Sequence, residues 1–166
     1  MERPIFQPVG TPVEELDTPA LVLDLDVMDK NIQTFQGYFA TTTAKARPVV
    51  TSHLCPQIAH RQLDAGGTVG GIAVTTLGEA EVFANSGFDD ILLANQVVTV
   101  SKIRRLCALA AQVSVGIAVD NLDNAQQLSS GAVAAGVELQ VLVEIDVGMG
   151  RCGISPGVEA LKLTQR

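Results

Sequence analysis

Six apolar runs recur along this chain at intervals of about 20 to 26 residues, and a stretch of helical periodicity follows each one. The runs fall at residues 20–26, 46–51, 69–74, 90–94, 113–119 and 139–145. Strands that alternate with helices pair in parallel, because each helix carries the chain back before the next strand begins, and such crossovers are right-handed. A barrel and an open doubly wound sheet both satisfy the pattern. A complete eight-unit barrel takes about 250 residues, so roughly six units in 166 residues predict an α/β chain forming an incomplete (β/α)8 TIM-type barrel. Its first and last strands would present unpaired edges, and such edges favour self-association.

Local signals punctuate the same units. Asp26 is a candidate cap for a helix placing Met28, Ile32, Phe35 and Phe39 on one face. Pro56 suits the first turn of the next helix, which Gly66 and Gly67 end. Thr76 and Glu79 have capping-box spacing ahead of a helix that stops at Gly87. Ile103, Leu106, Cys107 and Ala110 make a helical stripe; Asp120 or Asn121 caps the following helix, and Gly136 stops it. Ser155 and Pro156 start the last one. Residues 1–18 read as an irregular arm, because Pro4, Pro8 and Pro12 break any early helix. No linker follows, so residues 19–166 are expected to form one domain.

Composition agrees with buried parallel strands: 47% of residues are hydrophobic and only 4% aromatic, so small aliphatic side chains fill the core. The formal net charge of −7 argues against nucleic acid, since no basic patch offsets it. The N-terminus lacks the apolar centre of a signal peptide, and no run reaches the roughly 18 apolar residues of a membrane span. A cytoplasmic protein is the expectation. Cys55, Cys107 and Cys152 are widely spaced and odd in number, which predicts buried thiols rather than a disulfide or zinc framework.

The stretch ARPVVTSHLCP at residues 46–56 resembles the pyridoxal-phosphate strand of D-threonine aldolases and their D-serine dehydratase-like relatives, enzymes with the alanine racemase type of barrel, fold type III. In that family the stretch reads RPHxKTHKxP, and its first lysine holds the cofactor as a Schiff base. Arg47, Pro48, His53 and Pro56 keep the register, whereas Val49 replaces a histidine, Leu54 replaces the second lysine and Thr51 replaces the first. Three more stretches are similar to the family's: TPALVLDLD at 18–26, LGEAEVFANSGFDDILLANQVV at 77–98, and VEIDVGMGRCGI at 143–154. The resemblance implies retro-aldol cleavage or dehydration of a small D-β-hydroxy amino acid. It implies that Arg151, in the D-x-G-x-x-R-x-G loop, lies beside the cofactor ring, and that His53 lies near the site floor. It also implies a phosphate-binding loop on later strands and a divalent metal site in a C-terminal domain, none of which these residues contain.

The residues themselves argue against catalysis. An imine to pyridoxal phosphate needs a primary amine, which Thr51 cannot supply. The only lysines, Lys30, Lys45, Lys102 and Lys162, all fall on helices or before a strand. The expectation is therefore a catalytically impaired relative, or a protein that binds a small molecule or pyridoxal phosphate without covalent capture. Gly148-x-Gly150-x-x-Gly153 spells a dinucleotide fingerprint, the basis of a third, nucleotide-binding reading. It reads as accidental, because a helix starting among those glycines would contain Pro156, at a cost of about 3 kcal/mol. His53 could equally be a hydrogen-bonded structural group, and His60 is expected to face solvent. Glu79 and Glu81 suit a helix start, where the dipole favours carboxylates. Asn95 and Gln96 follow the fourth run and could line a cleft.

Overall fold

A parallel ladder of four strands organises the chain: β1 (Ile72–Val74), β2 (Asp90–Leu93), β3 (Ser114–Val119) and β4 (Gln140–Val143), hydrogen-bonded in that order. The computed structural model describes residues 7–165; Arg166 and the part of the proline-rich arm at residues 1–6 lie outside it. Helices α1 (Leu25–Ala40), α2 (Pro56–Asp64), α3 (Leu77–Asn85), α4 (Val100–Ala110), α5 (Leu122–Ala135) and α6 (Val158–Thr164), with short 3-10 turns at Val13–Glu15 and Val50–Ser52, complete the described elements. Between α2 and α6, strand and helix alternate throughout, as an α/β parallel fold requires.

Register decides which side chains meet. Ile72 pairs with Ile91 and Ile91 with Val115, while Val74, Leu93, Ile117 and Val141 form the next row. These rows face the helices, where Leu77, Ala80, Phe83, Ile103, Leu106, Cys107 and Leu128 close the core over them. The alternate rows, Ala73, Leu92, Gly116 and Gln140, then Ala118 and Leu142, lie on the opposite face. That face is the barrel interior of the expected architecture. At its N-terminal end Arg47 makes a bidentate pair with Asp90, at 3.0 and 2.9 Å, and also donates to Ile72 O.

The helix boundaries follow local chemistry. Thr76 accepts from Glu79 N while Glu79 accepts from Thr76 N, so the expected capping box is present. Asn121, rather than Asp120, caps α5, and Gly136 ends it in the left-handed region at φ 66°, where a side chain would be strained. Pro56 opens α2 as expected.

The six expected strands are reduced to four, with one further bridged stretch. Residues 20–23 join no ladder, and Leu21, Val22 and Leu23 are exposed. Here Asp24, not Asp26, is the cap: it accepts from Val27 N at 3.0 Å, which draws Leu25 and Asp26 into α1. An apolar run becomes a strand only where a neighbour satisfies its backbone. Residues 46–49 are extended beside β1 but form no ladder with it: the backbone pairing is two isolated bridges, Ala46–Thr68 ahead of β1 and Val49–Ala73 within it. Pro48 lacks a donor and interrupts the ladder, offering only its carbonyl, to Ala73 N. The chain then turns through a 3-10 segment, Val50–Ser52. The sixth run shortens to Gln140–Val143, with Ile145 bridging Ile154 instead. The last helix starts at Val158, because Gly157 at φ 105° breaks the chain after Pro156. On α1, Phe35 is exposed and Gln36 is the buried residue, so the expected apolar stripe is only partly covered. Of the three thiols only Cys107 is buried, and burial pushes its pKa up; Cys55 and Cys152 are half-buried.

Gly71 tests the Arg47–Asp90 pair. A Cβ there would stand 2.3 Å from Arg47 Nη1 and 2.4 Å from Asp90 Oδ2. Gly71→Ala is expected to displace the pair and lower stability by about 1–3 kcal/mol, read from urea unfolding.

Candidate functional site

Because the strands are parallel, the loops that follow them gather at one edge. Thr51 follows the bridged stretch, Thr75 follows β1, Asn95 and Gln96 follow β2, Asp120 follows β3, and Glu144 to Gly153 follow β4. In barrels this C-terminal edge carries the chemistry, because its loops vary without disturbing the core.

Thr51 sits in the 3-10 turn rather than at a strand end, and its hydroxyl is committed. It donates to Glu79 Oε2 at 2.8 Å and lies 3.4 Å from Thr75 Oγ1. The same carboxylate accepts from Thr75 N at 2.9 Å and Thr76 N at 3.4 Å. Burial pushes Glu79 toward its neutral form, but the bonds from Thr75, Thr51 and Thr76 outweigh it, and the carboxyl stays below its ordinary pKa. Glu79 therefore does more than cap α3: it ties the turn carrying Thr51 to that helix. Glu81, by contrast, points away, and its bond and ion pair to Arg105 lower its pKa.

His53 is held by both ring nitrogens. Nδ1 accepts from Cys55 N at 3.0 Å and Nε2 meets Gln62 Oε1 at 3.3 Å, which puts the proton on Nε2 and binds the turn to α2. The neighbouring Leu54 adopts φ 51°, a strained value for a bulky side chain. His60 is exposed, as expected, but stacks on Phe88 at 4.2 Å. None of the four lysines hydrogen-bonds Thr51 or His53 among the described residues, although Lys162 lines a hollow with Asp120 and Ile154. Lys30 lies on α1, Lys102 in the first turn of α4, Lys45 donates to Phe39 O, and Lys162 pairs with Glu159 on α6.

The loop after β4 is pinned at several points. Asp146 accepts from Gly148 N and Gly150 N, bonds that hold its carboxyl below the ordinary range. Ile154 N donates to Glu144 O, and Gly153 N donates to Asp120 Oδ2 at 3.2 Å. Arg151 stands exposed in this loop and makes no ion pair among the described residues. No hydrogen bond joins Thr51, His53 and Arg151 to one another among the described residues. No helix begins within the glycines, so the loop lacks the geometry of a dinucleotide fingerprint.

Two site residues escaped the sequence reading. Asp120 reads in sequence only as a helix cap and Glu144 belongs to no functional pattern, yet Gln96 donates to both, at 3.2 and 2.6 Å. The available signal was positional: each follows the last apolar residue of a strand. A hollow of about 800 Å³ lies elsewhere, on the outer surface between α4 and α5.

The Thr51–Glu79 bond carries a pH signature. A carboxyl held below its ordinary pKa stabilises the fold above that pKa and loses its contribution as pH falls through the folded value. Thr51→Val removes one donor at nearly constant volume. It is expected to cost about 0.5–1.5 kcal/mol at pH 7, with the difference from wild type vanishing in acid. Urea unfolding across pH, with the Glu79 titration followed by NMR, checks both.

Residues 23–166 match the family described as alanine racemase, N-terminal domain. A D-threonine aldolase of Arthrobacter sp is 40% identical over 98% of this chain and 42% of its own. A 3-hydroxy-D-aspartate aldolase of Paracoccus denitrificans is 36% identical over 88% of this chain and 38% of its own. The crystal structure of D-threonine aldolase from Filomicrobium marinum superimposes with a TM-score of 0.88 at 39% identity, covering 92% of this chain and 41% of that one. The D-threo-3-hydroxyaspartate dehydratase of Delftia sp. HT23 follows at 0.77 and 32%, over 90% and 38%. This chain thus spans about two fifths of the length of the relatives it matches. A parallel sheet, strand ends gathered at one edge and likeness along nearly the whole chain lead to one conclusion: the chain belongs to the alanine racemase N-terminal domain family, in which it is similar to D-threonine aldolases and 3-hydroxyaspartate aldolases and dehydratases.

Proposed function

We propose that this chain is a D-threonine aldolase-type barrel segment without the covalent step, and that it takes a small D-β-hydroxy amino acid noncovalently at the C-terminal edge of its sheet. One observation carries the reading: Thr51 stands where the family's Schiff-base lysine is expected, and its hydroxyl is closed onto Glu79. A hydroxyl cannot condense with an aldehyde to an imine, and Lys162, which lines a hollow beside Asp120, is paired with Glu159 on α6. Position 51 therefore does not fit a pyridoxal phosphate held there as a Schiff base. Among the described residues no group of three or more His, Cys, Asp or Glu side chains is placed to hold a metal ion.

The ligand class is supported by the relatives, whose names include aldolases of D-threonine and of 3-hydroxy-D-aspartate. Arg151 supplies the charge such a ligand needs. An exposed guanidinium without a carboxylate partner among the described residues can take a ligand carboxylate through two parallel bonds. His53, with both ring nitrogens engaged, holds the turn beneath. We also propose self-association of this domain through the free outer edges of the 46–49 stretch and β4, where Val49, Val141 and Leu142 are exposed. No helix among the described residues is long and apolar enough to cross a membrane.

Borohydride reduction in the presence of pyridoxal phosphate, followed by peptide mass mapping, tests the chemistry. The expected result is no site-specific label in the wild-type chain and a selective label at position 51 in Thr51→Lys. Specific labelling of one wild-type lysine together with aldolase activity would overturn the reading. D-Threonine should bind the wild type and bind Arg151→Ala about tenfold more weakly, as loss of a charge-assisted pair implies. Sedimentation velocity should show species larger than the 17.4 kDa monomer; a single monomeric species at all concentrations counts against self-association.

A further inference from the structure

Gln96 stands at the junction of three strand ends. It follows β2, and its backbone N–H is held by Asn95 Oδ1 at 3.0 Å. Its side-chain nitrogen reaches Asp120 Oδ2 after β3 at 3.2 Å and Glu144 Oε2 after β4 at 2.6 Å. One amide nitrogen carries two hydrogens, so each carboxylate receives one. Without that nitrogen two like charges would face each other across a half-buried edge.

The junction extends into the Arg151 loop. Asp120 Oδ2, the oxygen that receives Gln96, also accepts from Gly153 N. Gly153 has φ 101°, and a Cβ there would stand 2.5 Å from Asp146 N, so the two limbs of the loop approach closely at this point. On the other side Glu144 shares its backbone with the loop, through Ile154 N to its carbonyl at 2.9 Å. Gln96 thus bonds the side chains of two of the three residues that fasten the returning limb just beyond Arg151; the third, Asp146, donates its N–H to Ile154 O at 3.0 Å.

We propose that Gln96 is a positioning residue: by bridging Asp120 and Glu144 it fixes Gly153 and sets where Arg151 is presented. The proposal rests on the reading of Arg151 as the ligand's charge partner. Glutamine suits the task because it has the reach and two donors on one atom; the isosteric glutamate would add a third carboxylate.

Gln96→Met removes the donors at similar length, and Gln96→Glu replaces them with charge. In both, hydrogen exchange at Gly153 N is expected to accelerate by at least about tenfold, as does tryptic cleavage after Arg151, with the larger effect in Gln96→Glu. The Gly148 and Gly150 amides held by Asp146, and the ladder amides of β2 and β3, should keep their protection. Asp120→Ala should produce the same acceleration, and adding Gln96→Met to it should change little, since both act on one contact. Unchanged exchange at Gly153 overturns the proposal, and so does a loss shared equally by the ladder amides, which would make Gln96 a general stability element. Titration with D-threonine separates the two readings. If the wild type does not bind, the functional reading falls, while the exchange data still decide whether Gln96 fixes the loop. If the wild type binds and Gln96→Met binds equally tightly despite faster exchange, the positioning role falls.

Discussion

The parallel register of β1 to β4 is the constraint on which the remaining structure depends. It stacks Ile72, Ile91 and Val115, then Val74, Leu93, Ile117 and Val141, into continuous apolar rows beneath the helices. The same register turns Leu92, Gly116, Ala118 and Leu142 to the other face. Side chains alternate strictly along a strand, so a slip of one residue would exchange the two faces and bury Asp90 in the apolar core. Parallel direction also delivers every strand's C-terminal loop to one edge. The grouping of Thr75, Gln96, Asp120 and Glu144 follows from backbone pairing, before any contact between those side chains is considered.

Electrostatic closure is the second feature of that edge. Four carboxylates meet there, and each is engaged by protein donors: Glu79 by threonine amides and hydroxyls, Asp120 and Glu144 by Gln96, Asp146 by glycine amides. Bonds to the ionised form hold Glu79 and Asp146 below their ordinary pKa values. Arg151 has no such partner among the described residues. At the opposite end of the sheet the logic differs: Arg47 and Asp90 satisfy each other on the interior face, in the space Gly71 leaves. Arg47 keeps the family's register in sequence, and its position marks it as a structural element rather than part of the C-terminal edge.

Much of the fold was legible in the chain because its signals are local. The Thr76–Glu79 capping box, Pro56 at a helix start and the left-handed Gly136 each depend on residues within one turn, so the sequence determined them. The lack of an amine at position 51 was equally plain, since it is a matter of residue identity. Strand existence was less secure. Leu21, Val22 and Leu23 have the composition of a buried strand yet remain unpaired and exposed, and Pro48 breaks a ladder that hydropathy alone would continue. A strand needs hydrogen-bonding partners far away in sequence, and hydropathy does not report them.

The partners of the polar side chains were decided by tertiary structure alone. Glu79 reads as a cap in sequence, and only folding brings Thr51, 28 residues earlier, within 2.8 Å of it. Gln96 meets Glu144 across 48 residues, and Asp120 meets Gly153 across 33. Such contacts leave no periodic trace, because they depend on where three loops end after the sheet has assembled. The sequence by itself determined the alternation of elements, the family and the missing amine; the assembled sheet decided what occupies the space around them, since only parallel pairing makes neighbours of residues so far apart in the chain.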